Sequence, residues 1–285
     1  MGTLPLLTEG AFGILIHHEM NRTLPLPLVG DIMVSFTISK ETFNNFLASF
    51  GRDLIDIAIN VNTDSISAAV ANSTHYIYRK VDCGTESKGK LYITDIVKLK
   101  SFLSTVKVAD LHLSQEGKTG TLHIRAGNSS LQLPTSSYVE SQKRLGLLSK
   151  TIEQSKGSMW TTWFNTPLTH HARVTAESLK PATGFKKVLG GKFACKTEFD
   201  SDGEEFVIRG GKSQTGKMFV RAKLSNVDAP STLARSAFDN WLPELLYNLP
   251  VGELELHTGD ETVLILEQTS TNFLMIVIDQ EYEED

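Results

Sequence analysis

Residues 211–217 (Gly211, Lys212, Ser213, Gln214, Thr215, Gly216 and Lys217) have the glycine and lysine content of a loop that cradles phosphate. Two features spoil that chemistry. Met218 stands where a Ser or Thr would hold a magnesium ion, and a strand-like stretch follows where a helix N-terminus must begin. The segment reads as a polar hairpin turn. His17 with His18, and His170 with His171, are adjacent pairs whose side chains diverge on a strand. No nearby Cys, Asp or Glu set completes a metal site, so ordinary surface histidines are expected. Asp200, Asp202, Glu204 and Glu205 surround Gly203 in a stretch too short for a calcium loop, and a tight turn accounts for them. The sequence holds no Gly-x-Ser-x-Gly elbow or other recognisable catalytic arrangement. The expectation is a chain without catalytic residues, metal or cofactor: a binding protein and not an enzyme.

Composition narrows the class. With 285 residues, 40% hydrophobic and 21% charged, the chain has room for two ordinary globular domains. No apolar run approaches the roughly 18 residues that cross a bilayer, and the N-terminus lacks a signal peptide's layout, so no membrane association is expected. Cys83 and Cys195, far apart in strand-like surroundings, fit buried thiols in a reducing compartment such as the cytoplasm. A formal charge of −5 means that any contact with nucleic acid must come from uneven charge distribution.

The elements that would position a binding surface follow a rhythm. Residues 1–30 form an appendage, because Pro25 and Pro27 in a Leu-Pro alternation exclude a central strand or helix interior. An extended arm and a partner-binding tail are both open. Strand 32–38 leads through an N-cap at Ser39 into a helix with Phe43, Phe46, Leu47 and Phe50 on one face. Strands follow at about 54–61, 65–71, 75–82 and 89–94. A second helix then starts at a Thr94/Asp95 cap, with Ile96, Leu99, Leu103 and Val106 on its stripe. Strands at about 109–114, 120–126 and 129–134 close this unit. Residues 135–167 form a connector that holds a short helix near 138–149 and is anchored by Trp160, Trp163 and Phe164. The rhythm repeats with a strand at 169–175 and a helix after Ser178, where Pro181 is tolerable in the first turn. Strands come next at about 193–199, 204–210, 217–225 and 230–236, then a helix at 239–249 and strands at 253–258, 262–267 and 272–279. The acidic tail 281–285 ends the chain.

The halves therefore share an order of physical types. Asp95, its amphipathic helix and the strands beginning at Asp110, Leu122 and Leu131 match Asp239, its helix and the strands beginning at Glu253, Val263 and Phe273. A chain built twice in this way, ending in Asn272 to Asp279 and then acids, resembles the DNA sliding-clamp family of polymerase processivity factors. Within it, the trimeric clamps of tailed phages, relatives of the proliferating-cell clamps, are the nearest likeness. The resemblance covers about residues 32–280 in pattern more than identity. It implies an α+β fold of duplicated clamp domains, 31–134 and 168–280, each with antiparallel sheets outside and two helices inside. It further implies a homotrimeric ring threaded by double-stranded DNA without sequence preference, opened by an ATP-dependent clamp loader and tethering a DNA polymerase.

Charge can be set against that expectation. Stretches 39–52, 95–107 and 176–192 hold nine basic residues against three acidic ones. Their net +6 leaves −11 for the rest of the chain. Lys40, Arg52, Lys98, Lys100, Lys107, Lys180, Lys186, Lys187 and Lys192 are the expected pore lining, since phosphate contacts hold DNA independently of sequence. An ordinary solvated helix face explains any one of them equally well. The fourth helix carries Asp239 and Glu244 and no base. By position in the family, a partner-binding groove is expected at Tyr138, Phe273, Met275 and Val277, and subunit edges at 109–114 and near 217–225. Two other readings stay open: a virion or tail structural protein of duplicated β-sandwich domains, and an enzyme whose groups converge only in three dimensions.

Overall fold

In Met33–Ser39 (β1) every second side chain, Val34, Phe36 and Ile38, is buried, and the same period of two recurs in Leu122–Ala126 and His170–Thr175. The structure, a computed structural model, describes residues 33–278 apart from 52–54, 73, 86, 117–119, 135–159, 164–165, 189–195, 203–204, 212–218, 225–232, 239–241 and 260–262. The expectations for residues 1–30, the helix near 138–149, Tyr138, Phe164, the loop 212–218 and the tail 281–285 lie outside the described residues, as do Arg52, Lys192 and Cys195.

After β1 come the helix Lys40–Ala48 (α1), strands Ile57–Asn62 (β2), Ser65–Ala71 (β3), His75–Asp82 (β4) and Gly89–Ile93 (β5), and the helix Ile96–Thr105 (α2). Asp110–Glu116 (β6), Leu122–Ala126 (β7) and Ser129–Leu133 (β8) complete the first half. The connector contributes Thr162–Trp163 (β9) and Thr166–Pro167 (β10). The second half runs His170–Thr175 (β11), helix Ala176–Val188 (α3), Lys196–Asp202 (β12), Phe206–Gly211 (β13), Phe219–Lys223 (β14), Leu233–Phe238 (β15), helix Leu242–Leu246 (α4), Glu253–Thr258 (β16), Val263–Gln268 (β17) and Phe273–Ile278 (β18).

The duplication is complete at the level of topology. Sheet order β1-β6-β7-β8 in the first half is matched by β11-β16-β17-β18 in the second, and β5-β2-β3-β4 by β15-β12-β13-β14. Every strand pair among the described residues is antiparallel. Pairing of β18 with β4 joins the halves into one eight-stranded sheet. β8 and β14, the counterparts of those two strands, have one neighbour each, as do β1, β5, β11 and β15. β14 lies within the edge expected near 217–225. β6 does not match the edge expected at 109–114, because it is hydrogen-bonded to β1 on one side and β7 on the other.

One apolar cluster takes the inner faces of the sheets and the stripes of all four helices. It includes Phe43, Phe46 and Leu47 of α1, Leu99 and Leu103 of α2, Leu179 and Ala182 of α3, and Leu242 and Leu246 of α4. Helices therefore lie on one side of the sheet layer. Gly51, left-handed at φ +82°, ends the first helical turn region and sits beside Leu245 of α4, which brings the halves into contact on the helix side as well.

The cap of α3 differs from the expected one. Thr175 and Ser178 exchange hydrogen bonds, Ser178 N–H to Thr175 Oγ1 and Thr175 N–H to Ser178 Oγ, both at 3.1 Å. The helix thus starts at Ala176, and Pro181 falls beyond the first turn, where it removes one helical donor.

Candidate nucleic-acid interface

The lysines on the helical side divide by what their ammonium groups do. Lys40 opens α1, and its Nζ donates to the Val106 carbonyl just past α2 at 2.5 Å. Lys100 of α2 donates to the Gly51 carbonyl just past α1 at 3.1 Å, and burial pushes its pKa down. Each lysine ties one helix to the far end of the other, so α1 and α2 run antiparallel. Both were expected in the pore lining. Their ammonium groups instead hydrogen-bond backbone carbonyls at or just past the helix ends.

Lys98 and Lys180 are exposed but ion-paired. Lys98 Nζ lies 2.7 Å from Asp95 Oδ2, with the lysine side chain 72% exposed. Asp95 is the N-cap of α2, accepting from Lys98 N–H at 2.9 Å, and the Lys98 contacts hold its carboxyl below the usual range. Lys180 sits 3.9 Å from Glu177 one turn earlier on α3. Such exposed pairs contribute little to stability and exchange readily with phosphate. Lys107, beyond the end of α2, and Lys187 of α3 are exposed and make no ion pair with any described residue. Lys186 belongs to α3, but its side chain lies outside the described set. On α4, Glu244 is exposed and no base is present. The helical side thus presents Lys98, Lys107, Lys180 and Lys187, a set suited to phosphate and lacking any residue arranged to read bases.

The opposite side of the eight-stranded sheet is a second site-forming surface. Trp160 and Trp163, 1% and 2% exposed, lie with Leu168 against Tyr76, Val263, Ile265, Leu274 and Ile276. The two indoles are 6.1 Å apart. Trp160 Nε1 donates to Glu267 Oε2 at 2.9 Å, which fixes the connector to β17. Gly259 allows this approach, since a Cβ there would lie 2.3 Å from the Pro167 carbonyl oxygen. The tryptophans anchor the connector as their composition implied.

This arrangement corrects the expected partner groove. Phe273, Met275 and Val277 are 2%, 1% and 0% exposed and belong to the helix-side core. The strand's other face, Leu274, Ile276 and Ile278, meets the connector cluster. β18 is apolar on both faces, so its composition conceals which set of alternating positions faces outward.

The second histidine pair is also corrected. His170 is buried, and His171 is half-buried with its Nδ1 2.7 Å from Nδ1 of His257, its cross-strand partner. One ring must donate and the other accept. Burial, and then the neighbouring His171, pushes the His257 pKa down to about 4. The His171–His257 contact arises from register between β11 and β16, which sequence spacing does not reveal. Among the described residues no group of three or more His, Cys, Asp and Glu is placed to hold a metal ion. No helix among them is long and apolar enough to cross a membrane.

Comparison with solved structures places this architecture. A putative DNA polymerase III β subunit from Eubacterium rectale ATCC 33656 matches with a TM-score of 0.64 at 10% identity, over 91% of this chain and 68% of that one. The PCNA of A. fulgidus bound to the C-terminal region of FEN-1 matches at 0.60 and 13% identity, over 88% of this chain and 100% of the other. PCNA from Thermococcus kodakaraensis matches at 0.60 and 15%, over 87% and 99%. No family model matches the sequence, and no curated protein does. The likeness is one of fold: this chain has the α+β sliding-clamp fold, built from two equivalent units.

Proposed function

We propose that this chain is one subunit of a homotrimeric sliding clamp that encircles duplex DNA and tethers a replicative polymerase, with an ATP-dependent loader opening the ring. The carrying observation is the matched strand order of the two halves, in which β8 and β14, the counterparts of β18 and β4, each stand at the end of a sheet. The halves are already joined through β18 and β4, the equivalents of those two edges. Repeating that junction between copies pairs β8 with β14 and closes a ring. Threefold closure is supported by coverage, which spans the whole archaeal PCNA chain but about two thirds of the bacterial β subunit.

In this reading the helices line the hole. Lys107 and Lys187, with Lys98 and Lys180, supply phosphate contacts, joined by Arg52, Lys186 and Lys192; Lys40 and Lys100 hold the lining together. The acidic Glu244 makes the wall uneven. The polymerase docks on the outer side at the rim of the connector cluster, where Tyr78 and Ile278 are partly exposed. No step of covalent chemistry is needed.

The test is polymerase extension of a long primed template with loader and ATP. Adding this protein lengthens the products, and Lys107→Glu with Lys187→Glu shortens them again while light scattering still reports a trimer. Each lost phosphate contact also lowers the slope of log affinity against log salt by about 0.9. Product length unaffected by the wild-type protein overturns the reading.

A further inference from the structure

We infer that the junction inside the chain is a template that fixes the strand register between chains, and that the junction between chains lacks the lock that secures the internal one. The inference rests on the ring reading above and adds residue-level detail to it.

The internal junction runs Phe273 opposite Arg79, Met275 opposite Ile77 and Val277 opposite His75. Lys80 N–H donates to the Asn272 carbonyl and Ile278 N–H to the Thr74 carbonyl. These are the hydrogen-bonded positions, so Phe273 and Arg79 form one of the closer, non-hydrogen-bonded pairs. Arg79 Nη1 donates to Thr271 Oγ1 at 2.7 Å, and its guanidinium carbon lies 6.0 Å from the centroid of the Phe273 ring. The arginine therefore grips both β18 and the turn that precedes it.

Registers within the halves identify the matching residues on the open edges. Leu266 faces Met275 as Ile124 faces Leu131, and Gln268 faces Phe273 as Ala126 faces Ser129. On the other edge Ala68 faces Arg79 as Ile208 faces Ala222, and Val70 faces Ile77 as Gly210 faces Val220. Common depth in the ladders supports these matches, since Ile59 stands to Leu91 as Phe199 stands to Ser236. Transferred to the junction between copies, Ser129 lies opposite Ala222 of the partner subunit, and Leu131 opposite Val220 of the partner subunit.

The transfer carries the backbone but not the lock. Ser129 replaces the ring and Ala222 replaces the guanidinium. The β7–β8 turn at Gly127 and Asn128 is shorter than the Thr269–Asn272 turn that supplies Thr271. The inter-chain junctions therefore lack the side-chain contacts that Arg79 adds to the internal one.

Cross-linking tests the register. In the full chain, Ser129→Cys with Ala222→Cys is expected to give disulfide-linked multimers under mild oxidation on non-reducing gels, because close antiparallel pairs meet disulfide geometry. Ser129→Cys with Val220→Cys, displaced by two residues, and the wild type with its own Cys83 and Cys195 serve as controls. Multimers from the displaced pair, or from neither pair in a protein that light scattering shows to be a trimer, overturn the register and leave the ring reading standing. A monomer at every concentration overturns the ring reading itself. Grafting the lock as Ser129→Phe with Ala222→Arg is expected to lower the concentration at which rings dissociate by roughly threefold or more. An unchanged or raised midpoint shows that the lock is not what distinguishes the two junctions.

Discussion

The sheets β1-β6-β7-β8 and β11-β16-β17-β18 have the same topology, yet their outward faces are opposite in character. On the first, Ser35, Thr37, His112, Ser114, His123, Arg125 and Gln132 face outward, and His112 lies 3.2 Å from Ser35 Oγ and 3.3 Å from Thr37 Oγ1. On the second, the positions include His257, Val263, Ile265, Leu274 and Ile276, all buried. Register makes His123 the counterpart of Ile265, because Ile124 and Leu266 are matched on the inner face. The inner faces differ little, since both pack on helices. What separates the outer faces is the connector: Trp160 and Trp163 cover one and no described residue covers the other. A duplicated fold thus became unequal where a third segment lies across it, and the burial of that segment dictated the composition beneath.

The largest effect expected from this comparison is at the covering segment. Trp160→Ala removes the indole from a fully buried site and leaves Glu267 without that donor. A loss of about 3–5 kcal/mol in denaturant unfolding is expected. A loss below about 1 kcal/mol would mean that the connector rests on the sheet without supporting it, and that the difference between the two faces has another origin.

Much of the fold is legible in the sequence, though this contrast is not. Duplicated order, four amphipathic helices, the caps at Ser39 and Asp95 and the anchoring tryptophans all follow from local pattern, where side-chain period and capping chemistry act within a few residues. What escaped depends on long-range register. Position in the strand does not show that Phe273, Met275 and Val277 face the helices, because Leu274 and Ile276 between them are equally apolar. His257 meets His171 across 86 positions. Lys40 and Lys100 look like solvated lysines until the helix ends they cap are known. The candidate site was accordingly legible as a side of the molecule and only partly as residues.

A mid-sized effect concerns acid. Folding holds the His257 pKa near 4 against an ordinary 6.5, and burial depresses His171 as well. Above pH 6.5 the imidazole is neutral in both folded and unfolded chains, so this group subtracts nothing. As pH falls from 6.5 towards 4 the unfolded chain gains a proton that the folded chain refuses, and stability declines by up to about 3 kcal/mol before levelling below pH 4. Replacement by His257→Gln is expected to flatten that part of the pH profile of unfolding. A profile identical to wild type would place the acid sensitivity elsewhere.

The smallest expected effect probes the uncovered face directly. His123→Ile gives the first sheet the residue that the second carries at the matching position. Ile has good strand propensity, and the neighbours Ser114 and Gln132 are small or flexible, so the backbone accommodates it. Without a covering segment there is no apolar partner to bury it, and the stability change stays within about 0.5 kcal/mol. Ile265→His, the reverse exchange, forces a polar ring under the tryptophans and costs far more. Equal effects in the two exchanges would show that the faces are covered alike, and that the polarity of the first sheet serves a contact with something other than water.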